Sequence, residues 1–182
     1  MRIVFAVLDF VDAVNDWIGK ITAYAVLLMF VVVLSEVFRR YVLNAPTVWG
    51  TELTQLTFAV YVMLSGGHIM RWGGHVNVDL LYTNFSTKTK AIVDIFTSVL
   101  FFLFVGMLIV YGGSMAWDSV SRFEHSISAW GPPLWPFKLT IPVGASLLFL
   151  QGISKLIRDI HTVVTGIPHD ITIQERSEKE TV

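Results

Sequence analysis

The sequence holds 182 residues, 54% of them hydrophobic and only 15% charged, with a formal net charge of −1 and a mean hydropathy of +0.64. Soluble domains carry about 25% charged residues, and one core of this size cannot hide so large an apolar excess behind so little polar cover. These numbers exclude a soluble enzyme, a disordered chain and a nucleic-acid binder, which needs a basic field; the absence of cysteine excludes disulfides, thiol catalysis and thiolate metal sites.

The first element in the chain is an amphipathic segment, residues 3–17. Ile3, Val7, Phe10, Val14 and Trp17 recur at helical spacing, and Asp9, Asp12 and Asp16 mark a polar stripe. A helix lying on anionic lipid carries Lys and Arg on that stripe. Acids there leave two readings: a protein partner, or a plain interfacial lead-in to the first span. Asp9 and Asp12 also interrupt any apolar signal-peptide core, and no A-x-A site follows, so a cleaved leader is not expected.

Four stretches then meet, or nearly meet, the need for about 20 mostly apolar residues per membrane crossing. They are Trp17–Phe38, Leu53–Met70, Ile95–Trp117 and Leu139–Ser154. The fourth is bracketed by Lys138 and Lys155, whose long stems can snorkel and let the helix run on to Ile157. None shows the polar face that a soluble helical bundle would need. Trp17, Tyr41, Trp49, Trp72, Trp117, Trp130 and Trp135 fall at or just beyond span boundaries, where aromatic rings with a polar edge are at home. The expected fold is all-α and integral to the membrane. It comprises a four-helix domain over residues 1–165, with the amphipathic lead-in at 3–17 and a polar, disordered tail at 166–182.

With four spans, the N-terminus, the second loop and the C-terminus share one side. That side holds Arg2, Lys20, Arg71, Lys88, Lys90, Lys155, Arg158, Arg176 and Lys179. The other holds Arg39, Arg40, Arg122 and Lys138, which completes the thirteen Lys and Arg. The positive-inside rule then places both termini in the cytoplasm.

Polar residues near the membrane are the candidate functional groups. Span one ends in Glu36-Val-Phe-Arg39-Arg40-Tyr41, where Glu36 can pair with either arginine on one helical face. Such charges are costly at the hydrocarbon edge unless paired or solvated. They form either a local pair that ends the helix or a contact with another helix or subunit, with Glu52 a candidate neighbour. Span two opens with Trp49, Glu52 and Gln55, but no deeper acids continue them into a proton or ion relay. The run Ser65–Leu81 groups Arg71, His75 and Asp79 at spacings of four, which reads as a capped interfacial turn whose glycines let the chain turn or a helix approach closely. His75 and Asp79 alone are too few to hold a metal. A haem would need axial histidines inside the bundle, and His68 with His161 is the conceivable pair. Gly106 with Gly113, and Gly144 with Gly152, offer close-packing helix faces.

Over about residues 15–160 the sequence resembles the small membrane subunit of tripartite ATP-independent periplasmic (TRAP) transporters. The resemblance rests on Glu36 followed by Arg40 and Tyr41, on Trp49 with Glu52, and on Gly67 followed by Arg71, Gly74, His75, Val76, Val78 and Asp79. It implies a non-catalytic scaffold in the bacterial inner membrane, with no cofactor of its own. It also implies a large multi-span partner that binds sodium and substrate, and a periplasmic binding protein that delivers an organic carboxylate. Glu36, Arg39, Arg40, Tyr41, Trp49, Glu52, Arg71, Gly74, His75 and Asp79 are the expected interface residues, and a haem-binding redox subunit is the alternative.

Overall fold

The structure, a computed structural model, describes residues 2–72 and 87–165. They form four helices: α1 (Arg2–Tyr41), α2 (Gly50–Arg71), α3 (Thr87–Ser121) and α4 (Trp135–Thr165). All four are long and apolar enough to cross a membrane, each contains one expected span, and the chain is a multi-pass membrane protein. Among the described residues, the only β-type pairing is an isolated bridge between His125 and Pro133.

The lead-in at 3–17 is not a separate helix. It continues into the first span, so that α1 runs unbroken for 40 residues, about 60 Å. No proline lies between Arg2 and Tyr41, and Gly19 is the lone glycine, so nothing interrupts the backbone ladder. The helix stops where Asn44 adopts φ of 49° and Pro46 follows. Asparagine tolerates this left-handed turn, and the Ala45 amide satisfies the Arg39 carbonyl at 3.0 Å. The tail at 166–182, together with Gly74, His75 and Asp79, lies outside the described residues.

The helices pack side by side in the order α1, α2, α4, α3, so α1 and α3 form the two edges. α1 runs antiparallel to α2, and α3 antiparallel to α4; α2 and α4 are parallel. The N-terminal end of α1 and the C-terminal end of α4 therefore share one end of the bundle, called here the terminal end; the other is the distal end.

Burial is inverted relative to a soluble protein. Among the described residues the buried apolar side chains are only Leu8, Val32, Ala91, Val105, Ala116 and Ala145. Phe30, Phe38, Phe96, Phe104, Val110 and many others lie exposed along α1 and α3. Lipid solvates such faces as well as protein does, so apolar area cannot be what holds the helices together. Two other devices do so: close backbone approach and buried polar contacts.

The first device depends on glycine. A Cβ on Gly144 would lie 2.2 Å from the Met63 carbonyl oxygen, so α2 and α4 meet backbone to backbone there. A Cβ on Gly152 would lie 2.3 Å from the Phe101 ring, where α3 meets α4. Gly106 and Gly113 share the helical spacing but would meet nothing within 4 Å. Gly144→Ala is expected to lower stability by about 1–3 kcal/mol through overpacking. Gly106→Ala and Gly113→Ala should be neutral or gain up to about 1 kcal/mol from helix propensity. Thermal unfolding of the three variants in detergent measures the contrast.

Candidate functional site

Polar side chains gather at the two ends of the bundle. Along α1 the two clusters are separated by the stretch from Asp16 to Glu36, about 30 Å at helical rise, which matches the hydrocarbon thickness of a bilayer.

At the distal end, Glu36 sits where α1 turns into α2. One carboxylate oxygen accepts from Arg40 Nη2 at 2.9 Å; the other accepts from the Thr47 backbone N–H at 3.1 Å and from the Thr47 hydroxyl. The same hydroxyl reaches the Gly50 N–H at 3.1 Å and so caps α2. Glu36 thus closes the α1–α2 corner, and the expected pairing on one helical face is with Arg40. Arg40 and Tyr41 line a cleft of about 290 Å³ with Val33, Thr51, Thr54 and Gln55. Arg39 is exposed beside it, and Trp49 directly precedes α2. Glu52 does not join Glu36; it accepts from the Ser128 hydroxyl at 2.5 Å and fastens the α3–α4 loop over the start of α2.

That loop has its own clasp. Lys138 Nζ is 2.5 Å from Glu124 Oε2, and the Leu134 N–H reaches the Glu124 carbonyl at 2.8 Å. The Lys138 hydrogen bond, then the Ser119 hydroxyl, hold the Glu124 carboxyl below the usual glutamate range, against a smaller opposing effect of burial.

At the terminal end lies a network that joins α1, α2 and α4. Asp12 is 2% exposed and Asn15 is 1% exposed. One Asp12 oxygen accepts from Gln151 Nε2 at 2.8 Å and from Ser154 at 3.4 Å; the other accepts from Arg158 Nη2 at 2.6 Å. Asn15 donates to Gln151 Oε1 at 2.8 Å. Its side chain is seated directly against Gly67, where a Cβ would lie 2.0 Å from Asn15 Oδ1. Arg71 donates to the Asp12 carbonyl at 3.1 Å. One turn on, Asp16 accepts from Trp72 Nε1 at 3.0 Å, with Lys20 at 2.8 Å and Arg71 at 3.4 Å from its other oxygen. His68, one half of the conceivable haem pair, is instead wedged against Gly19, with Nδ1 3.0 Å from Asp16.

Of the expected interface residues, Glu36, Arg40 and Tyr41 meet at the distal cleft, and Arg71 belongs to the terminal network. Asp12, Asn15, Gln151, Ser154 and Arg158 form the larger cluster without having been singled out as a group. Their signal was present: 151, 154 and 158 are spaced three and four apart, a polar stripe along one side of α4. The acidic stripe of α1, readable as a docking face for a partner protein, turns Asp12 and Asp16 inward onto the chain's own α2 and α4.

Removing one member of a buried ion pair leaves the other uncompensated, at a cost of about 3–5 kcal/mol. Arg158→Ala should destabilise by that order; Asp12→Ala, which leaves Arg158 with Asp9 at 3.6 Å, should cost less, and the double variant clearly less than the sum. Chemical unfolding in detergent, arranged as a double-mutant cycle, measures the coupling. For the loop clasp the sign follows from the lowered Glu124 value. Its contribution is present above the ordinary glutamate pKa and is lost as pH falls through the native one. The melting temperature of the wild type should exceed that of Glu124→Gln near pH 7, and the gap should close below about pH 4.

Comparison with known proteins bears on what these helices serve. A family model described as the DctQ component of tripartite ATP-independent periplasmic transporters matches residues 29–162. The sialic acid TRAP transporter permease protein SiaT of Haemophilus influenzae is 24% identical over 105 residues, covering 58% of this chain and 17% of that protein. The C4-dicarboxylate TRAP transporter small permease protein DctQ of Pseudomonas aeruginosa is 27% identical over 124 residues, covering 65% of this chain and 58% of that protein. The chain thus spans only a minor part of the first relative and somewhat over half of the second. The matched residues run from the middle of α1 almost to the end of α4 and take in the distal cleft with its Glu36–Arg40 pair. The chain belongs to the DctQ component family of the tripartite ATP-independent periplasmic transporters.

Proposed function

We propose that this chain is the non-catalytic small permease subunit of a sodium-driven TRAP transporter in the bacterial inner membrane, with both termini in the cytoplasm. It scaffolds a large multi-span subunit, which binds sodium and substrate, while a periplasmic binding protein delivers an organic carboxylate anion. The observation that carries this reading is the uncovered apolar perimeter of α1 and α3. The chain's acidic and basic side chains are drawn together at the two ends, and the long faces between them are left for lipid and for a neighbouring membrane protein.

Two further points support it. SiaT is several times longer than the stretch that this chain matches, so there the equivalent helices adjoin much additional permease, the kind of neighbour that the scaffold reading calls for. The two relatives are named for sialic acid and for C4-dicarboxylates, and both substrates carry carboxylates. The alternative of a haem-bearing subunit gains no comparable support.

Reconstitution tests the proposal. Proteoliposomes holding this chain alone should take up no substrate. Those holding the large subunit alone should show strongly reduced uptake. The two together with the binding protein should restore uptake that follows an imposed sodium gradient. Uptake by this chain alone, or undiminished uptake without it, would overturn the scaffold role.

A further inference from the structure

A second cavity opens at the distal end, between the last turns of α3 and the first turn of α4, with a volume of about 470 Å³. It is unconnected with the α1–α2 cleft and uses none of the expected interface residues. Four charged side chains line it. Lys138 and Glu124 neutralise each other at 2.5 Å. Asp118 and Arg122 remain, one anion and one cation. They are four residues apart, yet α3 ends at Ser121 and the two do not pair. Arg122 acts on Glu124 only as a more distant charge, and among the described residues neither Asp118 nor Arg122 has an ion-pair partner. Charges left unmatched at the edge of a membrane call for water or for a ligand of opposite sign.

The rest of the lining shows which kind of ligand. Ser114 lies one turn below Asp118 on the same face of α3 and adds a hydroxyl. Tyr111 and Met115, also a turn apart, are exposed and continue the wall toward the middle of the span. The cavity therefore has a polar mouth carrying one positive and one negative charge, and an apolar side leading into the bilayer. That is the profile of an amphiphile with a zwitterionic head. A phosphate would face Arg122 through charge-assisted hydrogen bonds. A primary ammonium would donate to the Asp118 carboxylate and the Ser114 hydroxyl. Phosphocholine has no N–H to donate, and phosphoglycerol has no cation for Asp118.

We propose that this cavity binds the head group of one phosphatidylethanolamine molecule, with an acyl chain laid along Tyr111 and Met115. The site does not depend on the transporter reading, since the chain itself supplies every contact.

Native mass spectrometry of the purified full chain tests it, with phosphatidylethanolamine, phosphatidylcholine and phosphatidylglycerol offered at equal concentration. One phosphatidylethanolamine should be retained in preference to the other two. Arg122→Gln and Asp118→Asn should each weaken that retention about tenfold, and Asp118→Asn should also abolish the preference over phosphatidylglycerol. Arg122→Lys should keep most of the binding, and Lys90→Gln, at the terminal end, should keep all of it. Both site residues have exposed side chains, and helical circular dichroism verifies that the variants fold. Equal retention of the three lipids, or unchanged retention in Arg122→Gln, overturns the proposal. A parallel titration with soluble glycerophosphoethanolamine separates the sources: saturable binding of that compound without lipid retention overturns the lipid assignment in favour of a water-borne zwitterion.

Discussion

The arrangement of the helices depends on one carboxylate. Asp12 is almost wholly buried, and between its side chain and its backbone carbonyl it receives hydrogen bonds from two other helices: Gln151, Ser154 and Arg158 on α4, and Arg71 on α2. In water such a network would compete with solvent and with apolar packing. In a bilayer the balance differs. Lipid offers apolar faces no reason to leave it, whereas a polar group that loses its partner there finds no water to replace it. The contacts that set helix register in this chain are therefore polar ones, and they lie at the level where Asp12, Asn15 and Gln151 can exclude solvent together.

The rest of the assembly is consistent with that constraint. α1 reaches α4 at its terminal end, through Asp12 and Asn15 and through Asp9, 3.6 Å from Arg158. The approach of α2 is allowed by Gly67, against which the Asn15 side chain lies, and that of α2 to α4 by Gly144, against the Met63 carbonyl. At the distal end the same logic operates with shorter reach. Glu36 ties Arg40, Thr47 and the start of α2 into one corner, and Glu52 receives Ser128 from the loop above it. Both ends are fixed by hydrogen bonds and the middle by contact alone. This is how a thin layer of four helices keeps its shape while leaving its edges uncovered.

The spans and the all-helical class were legible in the sequence because a run of apolar residues needs no knowledge of its neighbours. The Glu36–Arg40 pair was legible for a related reason: its partners are four residues apart on a helix already inferred. The Asp12–Arg158 pair was not, because its members are 146 residues apart. Choosing between Arg158 and any other cation required knowing that α1 and α4 meet. The two glycine pairs make the same point. Gly106 with Gly113 and Gly144 with Gly152 are similar as patterns, yet only the second pair is used inside the chain. α3 meets α4 instead through Gly112, against the Ile141 side chain. Helical spacing of small residues says that a close approach is possible, not which helix makes it. The lead-in at 3–17 was separated from the first span by a change in polarity, but polarity alone does not end a helix; a stop needs a proline, a capping residue or a left-handed turn, and α1 has none of these before Asn44.

The extent of the family match adds a last step. Residues 29–162 include Gln151, Ser154 and Arg158 but exclude Asp12, Asn15 and Asp16. The terminal network is thus built between a helix inside the matched region and the stretch of α1 that precedes it. The matched part contains the apolar lengths of the helices and the distal corner, which are what a membrane neighbour would meet. The unmatched part supplies the side chains that bind α1 to α2 and α4 from within. If the matched region carries what members of the family share, the first turns of α1 supply the internal fastening through which this chain holds that shared surface in place. The acids at Asp12 and Asp16 then match the cations they meet on α4 and α2, Arg158 and Arg71.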